Sequence, residues 1–195
     1  MKQAIIQGNI TDLPGGANVV IHQANVNSVM GAGVALAIAG QWPGARLADE
    51  QAHFMATDKV NNHDAATSLL GKHSKYVHNK VTDLAQHCHV YNLYGQVLGG
   101  TIPPLDIPTS YDAVIAGLNS IEDDILADAE KGNISTNLKI AVPEGMGCLR
   151  GGAEWPIYRA ILIAWAESLD IKLQTQEDGN SYGVSLELLF VRYGG

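Results

Sequence analysis

The segment VIHQANVNSVMGAGVALAI, residues 20–38, constrains the fold more than any other part of the sequence. It begins in a nearly continuous apolar run, residues 18–23, which is typical of a strand buried on both faces. A Gly-x-Gly turn at residues 31–33 follows, and helix-forming residues begin at once. The first amides of a helix are free and lie at the positive end of its dipole, so this arrangement predicts an anion-binding loop.

A second glycine-rich loop follows a second buried strand. The strand LKIAV, residues 138–142, leads into PEGMGCLRGG, residues 143–152, and a helix is expected from Trp155-Pro156 because proline suits the first helical turn. Two such loops at the carboxyl ends of strands can hold a diphosphate from both sides. The alternative is a pair of unrelated turns, since turns use glycine for many reasons. The first loop lacks the third glycine of a dinucleotide-binding loop and the lysine of a P-loop.

The rest of the chain alternates predicted strands and helices. Residues 58–80 carry no pattern that places them. Strands are expected at residues 3–7, 87–94, 171–176 and 183–193, and helices at 34–40, at 45–57 and from an N-cap at Thr109 or Ser110 to a stop at Gly132. This alternation indicates one α/β domain, residues 1–195, with three layers (α/β/α) around a central mixed sheet.

Composition and charge exclude several functional classes. The 195 residues are 46% hydrophobic and 16% charged, as in ordinary globular domains, and the net charge is −8. This charge provides no cationic footprint for a nucleic-acid polymer. The chain has two cysteines, which predict no disulfide framework and a cytoplasmic location, and it has no apolar run long enough for a membrane span. No cofactor is predicted.

Three motifs together resemble the macro domain, a family of ADP-ribose-binding modules. They are Gly8-Asn9-Ile10, the segment 20–38 and IAVPEGMGCLRGGAEW at residues 140–155. The resemblance is greatest to the branch of ADP-ribose-1″-phosphate phosphatases and deacylating ADP-ribosyl hydrolases. It extends from residue 3 to about 176, whereas residues 58–105 and 177–195 match poorly.

The resemblance implies a small-molecule ligand, ADP-ribose or ADP-ribose-1″-phosphate. Asn9 stands where the family usually has an aspartate that accepts a hydrogen bond from the adenine amino group, and Asp12 is close enough in sequence to replace it. Asn25 matches the asparagine that contacts the distal ribose. The ligand-binding residues implied in this way are Gly8, Asn9, Ile10, Asn25, Met30, Gly31, Ala32, Gly33, Val34, Gly145, Met146, Gly147, Cys148, Leu149 and Arg150.

The resemblance also implies a catalytic pair, His22 and Asn25. An imidazole at the position of His22 can act as acid or base near neutral pH, and Arg150 can hold a terminal phosphate. The sequence therefore favours a phosphatase acting on ADP-ribose-1″-phosphate. The alternative for His22 is a core histidine satisfied by the sheet.

Two other functions stay open at this stage. An ADP-ribosyl hydrolase of the family's lysine-dependent type needs an aspartate where Gly151 stands, and no lysine among Lys72, Lys75 and Lys80 can be matched to the nucleophile. A non-catalytic reader of ADP-ribose needs only the two loops. Fold alone does not decide between these functions.

Two further groups of residues have side chains that can bind metal or react, but the sequence does not favour such a role for either. His87 and His89 share one face of a strand, but with Cys88 they fall short of a full zinc ligand set, so no metal site is predicted. Cys148 matches a structural cysteine of the family, and no partner base for a thiolate is evident.

Overall fold

A computed structural model describes residues 1–57, 67–78, 87–97, 109–175 and 181–194. The strands are β1 (Lys2–Gln7), β2 (Val19–Asn25), β3 (His73–His78), β4 (Cys88–Gln96), β5 (Asn137–Pro143) and β6 (Ser185–Arg192). The helices are α1 (Gly33–Gln41), α2 (Pro43–Thr57), α3 (Tyr111–Glu130) and α4 (Trp155–Gln174).

The strands form one mixed sheet in the order β1-β6-β5-β2-β4-β3. Among the strands that the structure describes, β3, at one edge, runs antiparallel to its neighbour β4, and the other pairs are parallel. β4, the next parallel strand along the chain, lies on one side of β2, whereas β5 and β6 lie on the other side of β2. The chain therefore reverses direction across the sheet between β2 and β5, and a crevice opens at the carboxyl ends of strands at such a point.

Alternating residues of the buried strands belong to two apolar cores, one on each face of the sheet. Val19 and Ile21 of β2 face α3 and α4, and Val20 faces α1 and α2. Helix residues complete each core, namely Val114, Leu118, Ile121, Ile125, Tyr158 and Leu162 on one side and Ile38, Trp42 and Ala45 on the other. Helices thus cover both faces of the sheet, and the predicted α/β/α architecture with a central mixed sheet is confirmed.

One local prediction is wrong, and one strand lies where the sequence made no prediction. Residues 171–176 were expected as a strand, but α4 continues to Gln174 because Leu169 and Leu173, four residues apart, extend its buried stripe. Strand β3 lies in a segment that the sequence did not place, since all of its residues are half-buried and show no alternation. The predicted caps of α3 are present: the Ser110 Oγ accepts from the Ala113 amide at 3.2 Å, and Gly132 takes a φ of 68°.

The membrane and disulfide predictions can be compared with the described residues. Among them, no helix combines the length and the apolar character that a membrane crossing requires. Cys88 and Cys148 are both free thiols. The cytoplasmic location stays a prediction.

Two helical glycines test how tightly α3 packs on the sheet. A Cβ at Gly117 would overlap the Leu93 side chain and lie 3.2 Å from the Lys72 carbonyl, whereas at Gly40 no described atom lies within 4 Å. We expect Gly117→Ala to lower the free energy of unfolding by about 1–3 kcal/mol through overpacking. Gly40→Ala, the matched control, should raise it by about 0.5–1 kcal/mol. Urea denaturation measures both, and a neutral or stabilising Gly117→Ala would contradict this packing.

Candidate ligand-binding site

The first glycine-rich loop, residues 26–32, joins β2 to α1 and is organised by Asn25. The Asn25 Oδ1 accepts from the amides of Asn27 and Val29 at 3.1 and 3.2 Å, and its Nδ2 donates to the Val29 carbonyl at 2.9 Å. These bonds fold the first half of the loop onto the end of β2, as asparagine does in turns. The Asn25 side chain therefore forms its hydrogen bonds within the loop itself.

Helix α2 holds the same loop from behind. The buried Asp49 carboxylate accepts from the Ser28 hydroxyl at 2.8 Å and from the Tyr94 hydroxyl at 2.9 Å. One helical turn later, His53 Nδ1 lies 2.7 Å from the Val26 carbonyl and donates to it. Burial raises the pKa of Asp49, and the two hydroxyl donors oppose that rise. Ser28 sits at φ 55°, an uncommon conformation for serine that these contacts maintain.

The amides at the start of α1 are available to a ligand. Ala32, the N-cap, has extended backbone and no polar side chain to occupy them, and the first intrahelical bond runs from Leu36 to Ala32. Gly33 takes φ 57°, and a Cβ built on it would meet no described atom within 4 Å. Met30 is buried in the α1 and α2 core and Val34 packs against it, so side chains anchor the loop while its backbone faces outward.

The second glycine-rich loop, residues 144–154, follows β5. Gly145 has φ 74° and, like Gly33, no described atom within 4 Å of a built Cβ. Met146 anchors the loop in the core of α3 and α4, whereas Leu149 and Arg150 are exposed at its tip. Arg150 forms no ion pair with a described residue. Burial raises the pKa of Cys148, so its thiol is protonated at neutral pH.

A polar network centred on Gln23 connects the two sides of the crevice. β2 pairs with β5 only through Val19 and Val20, so Gln23 lies where these strands have separated. The Gln23 Nε2 donates to the Gln96 Oε1 at 2.5 Å and to the Thr109 Oγ1 at 2.8 Å. Its Oε1 accepts from the Tyr158 hydroxyl of α4 at 2.8 Å. One carboxamide thus joins β2, β4, α4 and the segment that precedes α3.

The second loop rests directly on this network. A Cβ at Gly147 would lie 2.7 Å from the Gln23 Oε1, and a Cβ at Gly151 would overlap both the Thr109 Oγ1 and the Gly147 carbonyl. Thr109 donates to both glycines: its amide donates to the Gly151 carbonyl at 3.1 Å, and its hydroxyl donates to the Gly147 carbonyl at 3.3 Å. Position 151 therefore has no space for the aspartate of the lysine-dependent hydrolases.

His22 lies in the interior, on the α1 and α2 side of the sheet. It is 2% exposed, and its Nε2 is 2.6 Å from the Asn92 Oδ1. Because Asn92 Nδ2 donates to Ala45 and Ser74, its Oδ1 is the acceptor, so His22 carries its proton on Nε2. Burial lowers the pKa of His22 and keeps it neutral. This geometry is that of a core histidine and does not support the predicted acid–base role.

The third motif lies at the carboxyl end of β1. The Gly8 amide donates to the Arg192 carbonyl at 3.0 Å, and Ile10 is buried in the α1 and α2 core. The Asn9 Oδ1 accepts from the Thr11 amide at 3.2 Å, so Asn9 caps the short 3-10 turn Ile10–Asp12. Asp12 is exposed on that turn.

Sequence reasoning missed the residues that support the two loops. Two signals point to them. Gln23 is a polar residue in an otherwise apolar buried strand, and Asp49 and His53 are spaced four residues apart on one helix face. The missed residues are Gln23, Ser28, Asp49, His53, Gln96, Thr109 and Tyr158.

Comparison with known proteins identifies the fold through structure alone. No protein-family model matches the chain, and no curated protein matches its sequence. Solved structures do match. A Bacteroides thetaiotaomicron protein of unknown function has a TM-score of 0.65 and 18% identity over 98% of both chains. The macrodomain of Mycobacterium tuberculosis DarG has a TM-score of 0.60 and 20% identity over 96% of this chain and 97% of that one.

A third similar structure contains a ligand. Thermosipho africanus DarTG in complex with ADP-ribose has a TM-score of 0.60 and 15% identity, over 97% of this chain and 42% of that one.

The support of the first loop by α2 can be tested at Asp49. Asp49→Ala leaves the Ser28 and Tyr94 hydroxyls without their acceptor, and we expect it to lower the free energy of unfolding by about 1–3 kcal/mol. Glu50→Ala is the matched control, because it removes only the exposed pair with Arg46, worth about 0.3–0.5 kcal/mol. Equal stabilities of the two variants in urea denaturation would show that Asp49 does not hold the loop.

Proposed function

We propose that this chain, which has the macrodomain fold, binds ADP-ribose in the crevice between its two glycine-rich loops. The observation that carries the proposal is a pair of open glycines: Gly33, the first residue of α1 directly after the first loop, and Gly145, in the second loop, which follows β5. At both positions the backbone can approach a ligand without interference from a Cβ. The free amides of α1 supply hydrogen-bond donors and the positive dipole end that a diphosphate requires.

The charge around the crevice supports an anionic ligand. Arg150 lies in the second loop, where it can reach a phosphate, and it forms no ion pair with a described residue. The nearby Glu144 carboxylate is paired with Arg192, which balances its charge and lowers the pKa of the carboxyl. The overall charge of −8 does not exclude such binding, because backbone amides and an arginine can make the local potential positive. Thermosipho africanus DarTG, 42% of whose chain matches this fold, has been solved with ADP-ribose.

Of the functions that such a site permits, the geometry best supports a reader of ADP-ribose. Both predicted catalytic side chains have other roles here: His22 is enclosed in the core, and Asn25 holds its own loop. A phosphatase acting on ADP-ribose-1″-phosphate would have to rely on Arg150 and a bound water. An ADP-ribosyl hydrolase would have to act without a side chain at Gly151. These two activities are the alternatives.

Ligand binding can be tested at Gly33. We expect ADP-ribose to bind at micromolar strength, worth about 8 kcal/mol, and Gly33→Glu to abolish binding because its carboxylate would occupy the place of a phosphate and repel it. Isothermal titration calorimetry measures both.

Gly132→Glu is the matched control for this experiment. Gly132 has φ 68° and no described atom within 4 Å of a built Cβ, so the new side chain meets the same backbone strain in the same open space. It follows α3 and lies outside both loops. We expect Gly132→Glu to bind ADP-ribose like the wild type. Absence of wild-type binding, or equal losses in the two variants, would refute the proposed site.

Reader and phosphatase differ in what they release. We expect the wild type to liberate phosphate from ADP-ribose-1″-phosphate no faster than Gly33→Glu, as followed by a colorimetric phosphate assay. Faster release by the wild type would establish the phosphatase. If His22→Ala then lowered the rate of phosphate release by roughly 10²–10⁴-fold, His22 would have a catalytic role.

A further inference from the structure

The end of the sheet opposite the glycine loops carries two histidines that face each other. β4 begins at Cys88, so His87 and His89 project to the same side of it while Cys88 points into the other core. Their Nε2 atoms are 3.1 Å apart. A cavity of about 360 Å³ opens beside them, and the residues that line it include His87 and His89 together with Asn18, Ser135 and Lys139.

The separation of the two nitrogens suits a shared metal ion. In a tetrahedral site with Zn–N bonds of about 2.0–2.1 Å, two nitrogen ligands lie roughly 3.3 Å apart. Only one hydrogen can lie between the two Nε2 atoms, so one imidazole donates to the other's lone pair. Replacing that hydrogen by a metal ion requires both imidazoles to carry their proton on Nδ1, which leaves both Nε2 lone pairs directed at the ion.

The surroundings of His89 favour that tautomer. Its buried Nδ1 has no hydrogen bond of good geometry to a described residue, but the Asp128 Oδ2 lies 3.4 Å away. A carboxylate behind the second nitrogen is the usual partner of a metal-bound histidine. Lys75 in turn holds Asp128 at 2.5 Å and Asp124 at 2.8 Å, so this cluster has a net charge of −1 beside the imidazole.

We propose that His87 and His89 bind one divalent transition-metal ion through their Nε2 atoms, with the remaining positions filled by water from the cavity. No third histidine, cysteine or carboxylate joins them among the described residues, so the site has open positions. Two neutral nitrogen ligands favour Zn²⁺, Cu²⁺ or Ni²⁺ over the oxygen-seeking Mg²⁺ and Ca²⁺. The site is separate from the crevice and does not depend on ADP-ribose binding.

The experiment uses the tag-free full chain and metal ions as probes. Calorimetric titration with Zn²⁺ should give one ion per chain, and electron paramagnetic resonance of the Cu²⁺ form should show splitting from two nitrogens. His87→Ala, which alters a half-buried residue before the strand, should weaken Zn²⁺ binding roughly tenfold or more and leave splitting from one nitrogen. His89→Gln should have the same effect on affinity.

His78→Ala is the matched control. His78 pairs with Cys88 at the same end of the sheet but contacts Trp42 and Tyr76 on the opposite face. It should bind Zn²⁺ like the wild type. The proposal is overturned if wild-type protein binds no Zn²⁺ at about 1 mM, or if His87→Ala retains wild-type affinity. It is also overturned if His78→Ala loses as much affinity as His87→Ala. Circular dichroism of each variant verifies that it is folded.

Discussion

The hydrogen bonds of the Gln23 carboxamide are the interactions on which the side of this domain that carries the two glycine-rich loops depends. β2 and β5 separate after two residue pairs, and a parallel sheet that opens in this way exposes backbone and side-chain polar groups between its strands. Gln23 fills the gap with one acceptor and two donors, which satisfy Tyr158, Gln96 and Thr109. An apolar residue of the same size would leave these partners unsatisfied, at about 1–3 kcal/mol for each buried group.

This network divides the glycines of the two loops into two kinds. Gly147 and Gly151 lack a side chain because the backbone passes directly over Gln23 and Thr109, so packing from below requires glycine there. Gly33 and Gly145 have open space above them and positive φ, so their backbone conformation, and not packing, favours glycine there. The glycines of such loops therefore occur for two different reasons: some positions have no space for a side chain, and others adopt a backbone conformation that disfavours one.

The sequence predicted those parts of the molecule that depend on local periodicity. The buried strands β2 and β5, the helix starts at Ser110 and Trp155 and the two loops follow from apolar runs, caps and glycines. The polar supports could not be predicted in this way. Asp49 sits in a helix among Glu50 and other polar residues, and only the tertiary fold distinguishes a buried carboxylate that binds Ser28 from a solvated one. The edge strand β3 was missed for a related reason, since partial burial of every residue removes the alternation that marks a strand.

The two buried histidines on neighbouring strands show why residue type alone does not assign chemistry. His22 lies within β2, where Asn92 accepts its Nε2 proton and the core encloses its other nitrogen. His89 lies near the start of β4, where its Nε2 faces His87 and an open cavity. Burial lowers both pKa values, so both imidazoles are neutral and each has one lone pair. The Nδ1 of His22 is enclosed by protein, whereas the Nε2 of His89 faces a second imidazole, that of His87, and both of these residues line a cavity. Position along the strand, rather than the imidazole itself, thus determines which histidine can meet a ligand.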